Sequence, residues 1–295
     1  MHNTVCGRYE LGGQLGEGGM GCVYRAIHRE HGTPFALKLI SPACALDQLA
    51  RVRFNEEARL ASEITHPNIV SVVDFGEDPT LGAYMVMELV EGEPLIGHAG
   101  APMDVRRVCD VLGQIAEALH HIHHIQPRGI IHGDVKAENI LMTVEPTGAR
   151  RRRVARLLDF GLARRGDGAH EAQVRGSPHY LAPERAAGQP PSVAADIYAL
   201  GVLGYLMLTG AFPFAGNVVE IMMAHLNQVP DAPSARRGER IEPGVEALIT
   251  HAMAKQPANR HRSAADFHDE LSDVMKTLGM ARRRHPIGTL PPDAR

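Results

Sequence analysis

The pattern of apolar and polar positions changes character near residue 92. Over residues 9–40, short apolar stretches separated by glycines and turn residues predict three antiparallel strands. Residues 47–65 carry apolar side chains at helical spacing, which predicts one helix, and the segments 69–77 and 83–91 are typical of two further strands. This part of the chain is therefore predicted to be a small α+β unit with about five strands and a single helix.

Beyond residue 92 the apolar periodicity is mainly helical. Helices are predicted at residues 105–125, 194–209, 218–226, 245–254 and 264–278. A strand-rich insert, residues 129–144 and 153–163, separates the first two helices and carries most of the polar residues suited to catalysis. The basic, proline-bearing stretch 278–295 has no periodicity, so we expect a mobile tail there.

Composition narrows the choice of function. The 295 residues are 44% hydrophobic and 22% charged, which is ordinary for a folded globular protein. A net charge of −3 gives no broad positive field, so nucleic acid is not expected as a partner. The sequence has no apolar run of membrane-spanning length, no secretory signal and no CxxC pair among Cys6, Cys22, Cys44 and Cys109. We expect a cytoplasmic protein without a membrane span in this chain.

A glycine cluster lies between the first two predicted strands. Gly16, Gly18 and Gly21 are followed by Val23. Glycine lets backbone N–H groups approach phosphate oxygens that a Cβ would hold away. Because a strand follows, the cluster favours a hairpin that covers phosphates over a dinucleotide-binding turn. A glycine-rich hairpin without a ligand is the alternative interpretation.

A lysine interrupts the third predicted strand. Lys38 stands in the apolar run FALKLI, where a buried ammonium is costly unless it is paired. Glu56 and Glu57 on the following helix are the candidate partners, and we favour Glu57 because it adjoins Ala58 and the apolar stripe of that helix. A Lys–Glu pair that holds ATP phosphates is a requirement of many phosphotransferases.

The polar residues of the insert form a third group. The stretch from His132 includes Asp134, Lys136 and Asn139, and Asp159 begins the sequence DFG. Phosphoryl transfer needs a carboxylate that orients the incoming hydroxyl, a cation near the γ-phosphate and ligands for a divalent metal. The last four residues meet those needs in that order, with Asn139 and Asp159 as the metal ligands. Their oxygen atoms suit Mg²⁺, with Mn²⁺ as the alternative.

Together these motifs resemble the Hanks-type, eukaryotic-like serine/threonine protein kinases of bacteria. The resemblance covers residues 9–275 and includes the segments SPHYLAPE, which ends at Glu184, DIYALG, which starts at Asp196, and KQPANRHRSA, which contains Arg260. In that family the glutamate of the first segment pairs with such an arginine, so we expect Glu184 to meet Arg260. Lys136 in DVKAEN resembles the Ser/Thr-specific form of the catalytic loop.

The resemblance implies an architecture and an activity. The fold would be the α+β, bilobal protein-kinase fold, a single domain over residues 1–295. Its parts would be a small antiparallel β-lobe with one helix at 9–90, a larger mainly helical lobe at 91–277, and the tail at 278–295. The resemblance further implies ATP and Mg²⁺ as cofactors, proteins bearing Ser or Thr as substrates, a role in signal transduction, and autophosphorylation.

The resemblance also implies roles for single residues. Catalysis would involve Asp134, Lys136, Lys38, Glu57 and Ser177, the last in place of a threonine of the family. Met87 would be the gatekeeper, and the backbone of Glu88 and Val90 would face adenine. The residues implied to bind the nucleotide are Leu15, Gly16, Gly18, Gly21, Val23, Ala36, Lys38, Met87, Glu88, Val90 and Leu141.

Two departures from the family pattern agree with each other. The usual HRD sequence reads His132-Gly133-Asp134, so the arginine that would pair with a phosphorylated activation loop is missing. The segment 162–176 contains no Ser, Thr or Tyr. We therefore expect a non-RD kinase whose activity does not depend on activation-loop phosphorylation.

Two other functions fit part of these motifs. HGD with a following Asn resembles the catalytic loop of small-molecule kinases such as aminoglycoside and choline phosphotransferases. The complete glycine loop, Lys136 and the SPHYLAPE segment argue against that class. An ATP-binding pseudokinase scaffold is the second alternative, and it would need a defect hidden behind intact Lys38, Asp134, Asn139 and Asp159.

Two further clusters are interpreted as surface features. His120, His121, His123 and His124 offer helical pairs that could bind a metal, but we expect them to face solvent. Residues 150–153 are four arginines, for which a solvated hairpin turn is expected and docking of an acidic partner is the alternative.

Overall fold

Six strands of one antiparallel sheet form the first lobe in a computed structural model that describes residues 4–18, 20–95, 100–147, 150–159, 164–165 and 177–279. The strands are β1 (Thr4–Val5), β2 (Tyr9–Gly18), β3 (Gly21–His28), β4 (Pro34–Ile40), β5 (Val72–Asp78) and β6 (Gly82–Glu88), and their order is β1-β2-β3-β4-β6-β5. The predicted tail beyond residue 279 and most of the segment 160–176 lie outside the described residues.

Two helices follow β4. The single-turn α1 (Pro42–Ala45) begins at the N-cap Ser41, and α2 (Gln48–Ser62) begins at the N-cap Asp47, whose side chain accepts from Leu49 N. The prediction of five strands and one helix therefore missed two short elements, β1 and α1. Neither is long enough to show a period, so the hydrophobic pattern alone could not indicate them.

The alternation of β4 determines which side chains meet α2. Leu37 and Leu39 face a core cluster that includes Tyr84 and Val86 of β6. Lys38 lies between them and therefore points to the opposite face of the sheet, the face against which Phe54 of α2 packs. The strand thus directs Lys38 towards the helix that carries Glu57.

The second lobe is mainly helical. Its helices among the described residues are α3 (Val105–His123), α4 (Pro183–Ala186), α5 (Val193–Thr209), α6 (Val218–Asn227), α7 (Pro233–Arg237), α8 (Pro243–Ala252) and α9 (Ala264–Thr277). Almost every residue of α5 is buried, so this helix forms the centre of the lobe, with α3, α7, α8 and α9 packed around it. No helix among the described residues has the length and apolar character to cross a membrane.

Strands of the second lobe lie before and after α3 in the chain. They are β7 (Glu93–Pro94), β8 (Ile130–Ile131), β9 (Ile140–Thr147), β10 (Arg150–Leu157) and β11 (Arg164–Arg165), paired in the orders β10-β9-β7 and β11-β8. Leu157 O accepts from Val70 N at 3.0 Å, and Leu157 N donates to Asn68 O at 2.8 Å. These bonds tie the insert to the chain segment that leads into β5.

The four arginines at 150–153 are not a hairpin turn. They form the first half of β10 and pair with residues 144–147 of β9. Because β10 is the edge strand of its sheet, the side chains of Arg151, Arg152 and Arg153 are exposed, and charged edge residues protect such a strand from pairing with another chain. A run of identical residues has no alternation, which is why the pattern did not indicate a strand.

Candidate active site

Lys38 joins the two lobes at the candidate site. Its Nζ atom lies 2.8 Å from Glu57 Oε1 on α2 and 3.0 Å from Asp159 Oδ1 in the segment after β10. The side chains of Lys38 and Glu57 are 9% and 2% exposed, whereas Glu56 is exposed. Of the two candidate partners, the helix therefore presents Glu57 to the lysine.

The electrostatics of this trio favour a charged lysine. Burial opposes the charge of Lys38, but the carboxylates of Glu57 and Asp159 outweigh it and raise the pKa of Lys38 above its ordinary value. Burial also raises the pKa of Glu57, against the opposing effect of Lys38. The ammonium of Lys38 thus lies between the buried acid Glu57 and the carboxylate of Asp159, which is 44% exposed and is the side that a metal cation can approach.

The segment after β8 brings three more of the predicted residues together. Lys136 Nζ lies 2.6 Å from Asp134 Oδ2. A 3₁₀ turn at Ala137–Asn139 positions the Asn139 amide, whose Nδ2 donates to Asp134 O at 3.0 Å and to Asp134 Oδ2 at 3.1 Å. A carboxylate is therefore held in one orientation between a cation and an amide.

Asn139 and Asp159 together fit a hard divalent cation. Because Nδ2 of Asn139 is engaged by Asp134, the amide oxygen Oδ1 is left for a metal. Asp159 has a φ of 50°, a conformation that Asp tolerates better than most residues. An amide oxygen and a carboxylate form a donor set of the kind that Mg²⁺ or Mn²⁺ uses, with water and phosphate oxygens completing the shell.

Asp196 on α5 holds the backbone of this segment. Its carboxylate accepts from His132 N at 2.9 Å and from Gly133 N at 2.8 Å. Burial opposes ionisation of Asp196, but the hydrogen bond from His123 and the surrounding donors prevail and lower its pKa. Gly133 has a φ of 77°, which glycine adopts without strain. Asp134 follows Gly133 directly, so the buried carboxylate of Asp196 fixes the backbone from which Asp134 projects.

His123 supports this segment, and the prediction that it faces solvent is wrong. Its side chain is 3% exposed, and its Nε2 donates to Asp196 Oδ2 at 2.9 Å, so it does not face solvent. The signal was present in the sequence, because the buried positions Leu112, Ala116 and Leu119 of α3 form a stripe that continues to residue 123. The exposed side of the helix bears His120 and His124, which lie against each other.

The residues predicted to surround the nucleotide lie on or next to the strands β2, β3, β4, β6 and β9. Across the sheet, Val23 pairs with Lys38 and Ala36 pairs with Met87, while Leu141 on β9 pairs with Pro94. The predicted apolar residues Val23, Ala36, Met87, Val90 and Leu141 are all half-buried, and Leu15 is 52% exposed. Apolar side chains that the fold leaves partly open are what a purine requires.

The side chain of Glu88 is bound by other groups of the protein, which leaves only its backbone to contact a nucleotide. Its Oε1 accepts from Ser71 N at 2.8 Å and forms an ion pair with Arg156. Arg156 also donates to Pro67 O at 2.7 Å. No sequence pattern indicated a role for this arginine, which holds the end of β6 against the insert.

Ser177 lies beside the catalytic segment. It lines a small cavity together with Gly133, Asp134, Tyr180 and Asp196. Tyr180 Oη accepts from Ala137 N at 3.2 Å, which links the segment after residue 177 to the 3₁₀ turn. Among the described residues, no hydrogen bond joins Ser177 Oγ to Asp134 or Lys136.

The predicted pairing of Glu184 with Arg260 is present. Arg260 Nη1 donates to Glu184 Oε1 and Nη2 donates to Oε2, both at 2.7 Å, in a buried bidentate pair. Nη1 also donates to Ala194 O at 2.8 Å, and the guanidinium lies 4.8 Å above the ring of Tyr198. The segment that ends at Glu184 is therefore fastened to the core of the helical lobe.

Residues 9–270 match the family described as "Protein kinase domain". The chain therefore belongs to the protein kinase domain family, and the predicted bilobal α+β fold is confirmed.

Curated relatives are similar over most of this chain. "Serine/threonine-protein kinase PknA" of Mycobacterium tuberculosis is 37% identical over 92% of this chain and 62% of its own length. "Serine/threonine-protein kinase pkn3" of Myxococcus xanthus is 36% identical over 92% of this chain and 51% of its own. "Serine/threonine-protein kinase PknB" of Mycolicibacterium smegmatis is 34% identical over 97% and 47%. The resemblance to Hanks-type bacterial kinases is confirmed, and the chain spans less than two thirds of the length of these relatives.

Proposed function

We propose that this chain is a serine/threonine protein kinase that transfers the γ-phosphate of ATP to Ser and Thr hydroxyls of proteins. The observation that carries the proposal is the position of Lys38, whose ammonium lies 2.8 Å from Glu57 and 3.0 Å from Asp159. This arrangement links a cation for phosphates to a carboxylate for metal across the two lobes. The names of the relatives support the same activity.

Each catalytic side chain has a task in this proposal. Asp134 orients the substrate hydroxyl and takes its proton as the oxygen attacks the γ-phosphorus and the bond to the bridging β–γ oxygen breaks. Lys136, 2.6 Å from Asp134, adds positive charge beside the transferring group. Lys38, held by Glu57, binds the phosphates that leave, and Ser177 shapes the wall of the site next to Asp134.

Asn139 and Asp159 are the proposed ligands of Mg²⁺, with Mn²⁺ as the alternative. When bound there, the metal neutralises charge on the phosphate oxygens. The amide oxygen of Asn139 is directed to this task because its nitrogen is fixed on Asp134.

The proposed nucleotide site uses the hairpin and the lobe junction. The backbone of Gly16 and Gly18 covers the phosphates, and the apolar residues enclose the adenine. These apolar residues are Leu15, Val23, Ala36, Met87, Val90 and Leu141. Gly21 shapes the hairpin through packing, and Glu88 contributes backbone only, because its side chain is engaged by Ser71 and Arg156.

We further infer that the kinase is of the non-RD type and that it autophosphorylates without needing a phosphate on its activation loop. Gly133 stands where an arginine would bind such a phosphate. The segment 162–176, which lies largely outside the described residues, has no Ser, Thr or Tyr that could be phosphorylated. Asp196, rather than a loop phosphate, supports the catalytic segment through His132 N and Gly133 N.

The domain boundaries, the partners and the cellular location belong to the same proposal. We infer one kinase domain with lobes at 9–90 and 91–277 and a tail at 278–295, with β1 added to the first lobe by its pairing with Tyr9 and Glu10. The proposed partners are ATP and proteins bearing Ser or Thr. The four free cysteines and the need for ATP support a cytoplasmic, reducing setting.

A transfer assay separates this function from its rivals. Labelled γ-phosphate from ATP with Mg²⁺ is offered to a generic basic protein, to the chain itself and to a panel of aminoglycosides. We expect label on Ser and Thr of protein, and we expect Asp134→Asn to lower the rate on the order of 10²–10⁴-fold because the general base is lost. Label on aminoglycosides alone would indicate a small-molecule phosphotransferase, and ATP binding without any transfer would indicate a pseudokinase.

A further inference from the structure

Three metal-ligating side chains converge on the helical lobe without sharing a residue with the candidate active site. They are His251 in the last turn of α8, His261 in the loop that follows, and Glu270 on α9. His251 Nδ1 lies 3.3 Å from Glu270 Oε2, and His261 Nε2 lies 3.1 Å from the same oxygen. One ligand atom from each residue lies within 4.8 Å of the other two.

The fold brings these residues together for local reasons. The loop after α8 returns the chain to the end of that helix, so the ring of His261 packs 4.0 Å from the ring of His251. His261 also meets Phe267 edge-on at 5.0 Å. Glu270 lies three residues after Phe267, on the same face of α9, which places its carboxylate over both imidazoles.

Two of the three separations between ligand atoms, both hydrogen bonds in this structure, are close to those between ligands of one metal ion. Zinc binds imidazole nitrogen and carboxylate oxygen at about 2.0–2.2 Å in a tetrahedron, so two ligand atoms lie roughly 3.3–3.5 Å apart. The two separations to Glu270 Oε2, 3.3 and 3.1 Å, are close to this value. The third separation joins the ligand nitrogens of His251 and His261. Because the His251 side chain is 42% exposed, rotation about its side-chain bonds can shorten this distance without disturbing the core.

One side of the cluster is open to solvent. The side chains of His251 and Glu270 are 42% and 41% exposed, so one side of the cluster is open to water as a further ligand.

We propose that His251, His261 and Glu270 form a binding site for a zinc-class divalent cation that links α8 to α9. Two imidazole nitrogens and one carboxylate favour Zn²⁺ over the oxygen-preferring Mg²⁺ and Ca²⁺. The bound ion closes the loop that carries Arg260, the partner of Glu184. The site stabilises the base on which the segment ending at Glu184 rests, and it takes no part in phosphoryl transfer.

Cobalt provides a direct test, because Co²⁺ bound by imidazoles in a tetrahedron absorbs visible light strongly and Co²⁺ bound by oxygens in an octahedron absorbs weakly. The full chain, stripped of metal with a chelator, is titrated with Co²⁺. We expect one strongly absorbing ion per chain, displaced by Zn²⁺, and affinities lowered about tenfold or more in His251→Asn and in Glu270→Gln. Co²⁺ bound by the oxygen ligands Asn139 and Asp159 absorbs only weakly, so it can be distinguished from Co²⁺ at the cluster.

His268→Asn is the matched control. His268 is also on α9 and pairs with a carboxylate, Glu117, at 3.3 Å, but it is not part of the cluster. We expect this variant to keep the wild-type affinity for Co²⁺ and the rise in melting temperature with Zn²⁺. We expect both variants of the cluster to bind Co²⁺ about tenfold or more weakly and to show a smaller rise with Zn²⁺. His251 and Glu270 are partly exposed, and circular dichroism verifies that their variants fold.

Either of two results would overturn the proposal. The first is the absence of the strong cobalt absorption in the wild-type chain, which would mean that the cluster is only a hydrogen-bonded group. The second is an absorption that appears with unchanged affinity in folded His251→Asn and Glu270→Gln, which would place the ion elsewhere.

Discussion

The glycines of the hairpin between β2 and β3 differ in what surrounds them. A Cβ at Gly16 would meet no atom within 4 Å, and a Cβ at Gly18 would meet only Gly21 O at 4.0 Å. A Cβ at Gly21 would collide with the backbone carbonyl of Leu39 on β4. Packing therefore explains Gly21, whereas Gly16 and Gly18 border open space that a phosphate group could occupy.

This difference gives a prediction at the scale of single residues. Gly21→Ala should lower the free energy of unfolding by roughly 1–3 kcal/mol, because the methyl group overpacks against backbone that cannot move aside. Gly18→Ala should stay within about 0.5 kcal/mol of the wild type and should weaken ATP binding instead. Urea denaturation and ATP titration measure the two effects. Equal loss of stability in both variants would contradict the interpretation.

Single residues also show how far the sequence could be followed. Lys38 and Glu57 could be paired in advance, because the apolar stripe of α2 distinguishes Glu57 from Glu56. The Arg156–Glu88 pair could not be predicted, because the two residues lie on strands that are distant in the sequence and the local pattern around Arg156 does not indicate its partner.

At the scale of elements, Arg260 joins three parts of the helical lobe. It binds Glu184 of α4, the carbonyl of Ala194 at the start of α5, and the carbonyls of Ala254 and Lys255 after α8. All of these bonds are buried or partly buried, so loss of the guanidinium would strand a carboxylate and several acceptors.

Arg260→Met should therefore lower the free energy of unfolding by about 3–5 kcal/mol, the usual cost of an unpaired buried charge. The exposed pair Arg59–Glu63 on α2, 3.1 Å apart, is the control, and Arg59→Ala should cost about 0.5 kcal/mol or less. Urea denaturation at neutral pH compares the two variants. A cost below about 1 kcal/mol for Arg260→Met would show that the pair is not a main support of the lobe.

Long periodic elements could be predicted and short ones could not. The stretches predicted at 194–209 and 264–278 are α5 (Val193–Thr209) and α9 (Ala264–Thr277). The single-turn helices α1, α4 and α7 have too few residues for a period and depend on tertiary contacts and proline at their first turn. The cluster of His251, His261 and Glu270 was not predicted either, because the return of a loop, rather than sequence spacing, brings it together.

At the scale of the whole molecule, specific contacts hold the two lobes against each other. The backbone bonds of Leu157 to Asn68 and Val70 fix the insert against the β-lobe, and Lys38 reaches from β4 to Asp159. A catalytic arrangement that spans both lobes depends on their relative position. Many kinases secure that position with a phosphate on the activation loop. The proposed function predicts that this chain does not need one, because Gly133 replaces the arginine and the segment 162–176 has no hydroxyl side chain.

The central claim is that this chain is a protein kinase assembled for catalysis without a loop phosphate. The time course of label transfer from ATP to a protein substrate, started with phosphatase-treated enzyme, tests it most directly. We expect a linear course from the first time point and the same rate in Glu56→Gln. We expect a rate at least about tenfold lower in Glu57→Gln, which removes the buried one of the two carboxylate partners of Lys38. A lag that ends as the enzyme becomes phosphorylated, or full activity in Glu57→Gln, would contradict the account.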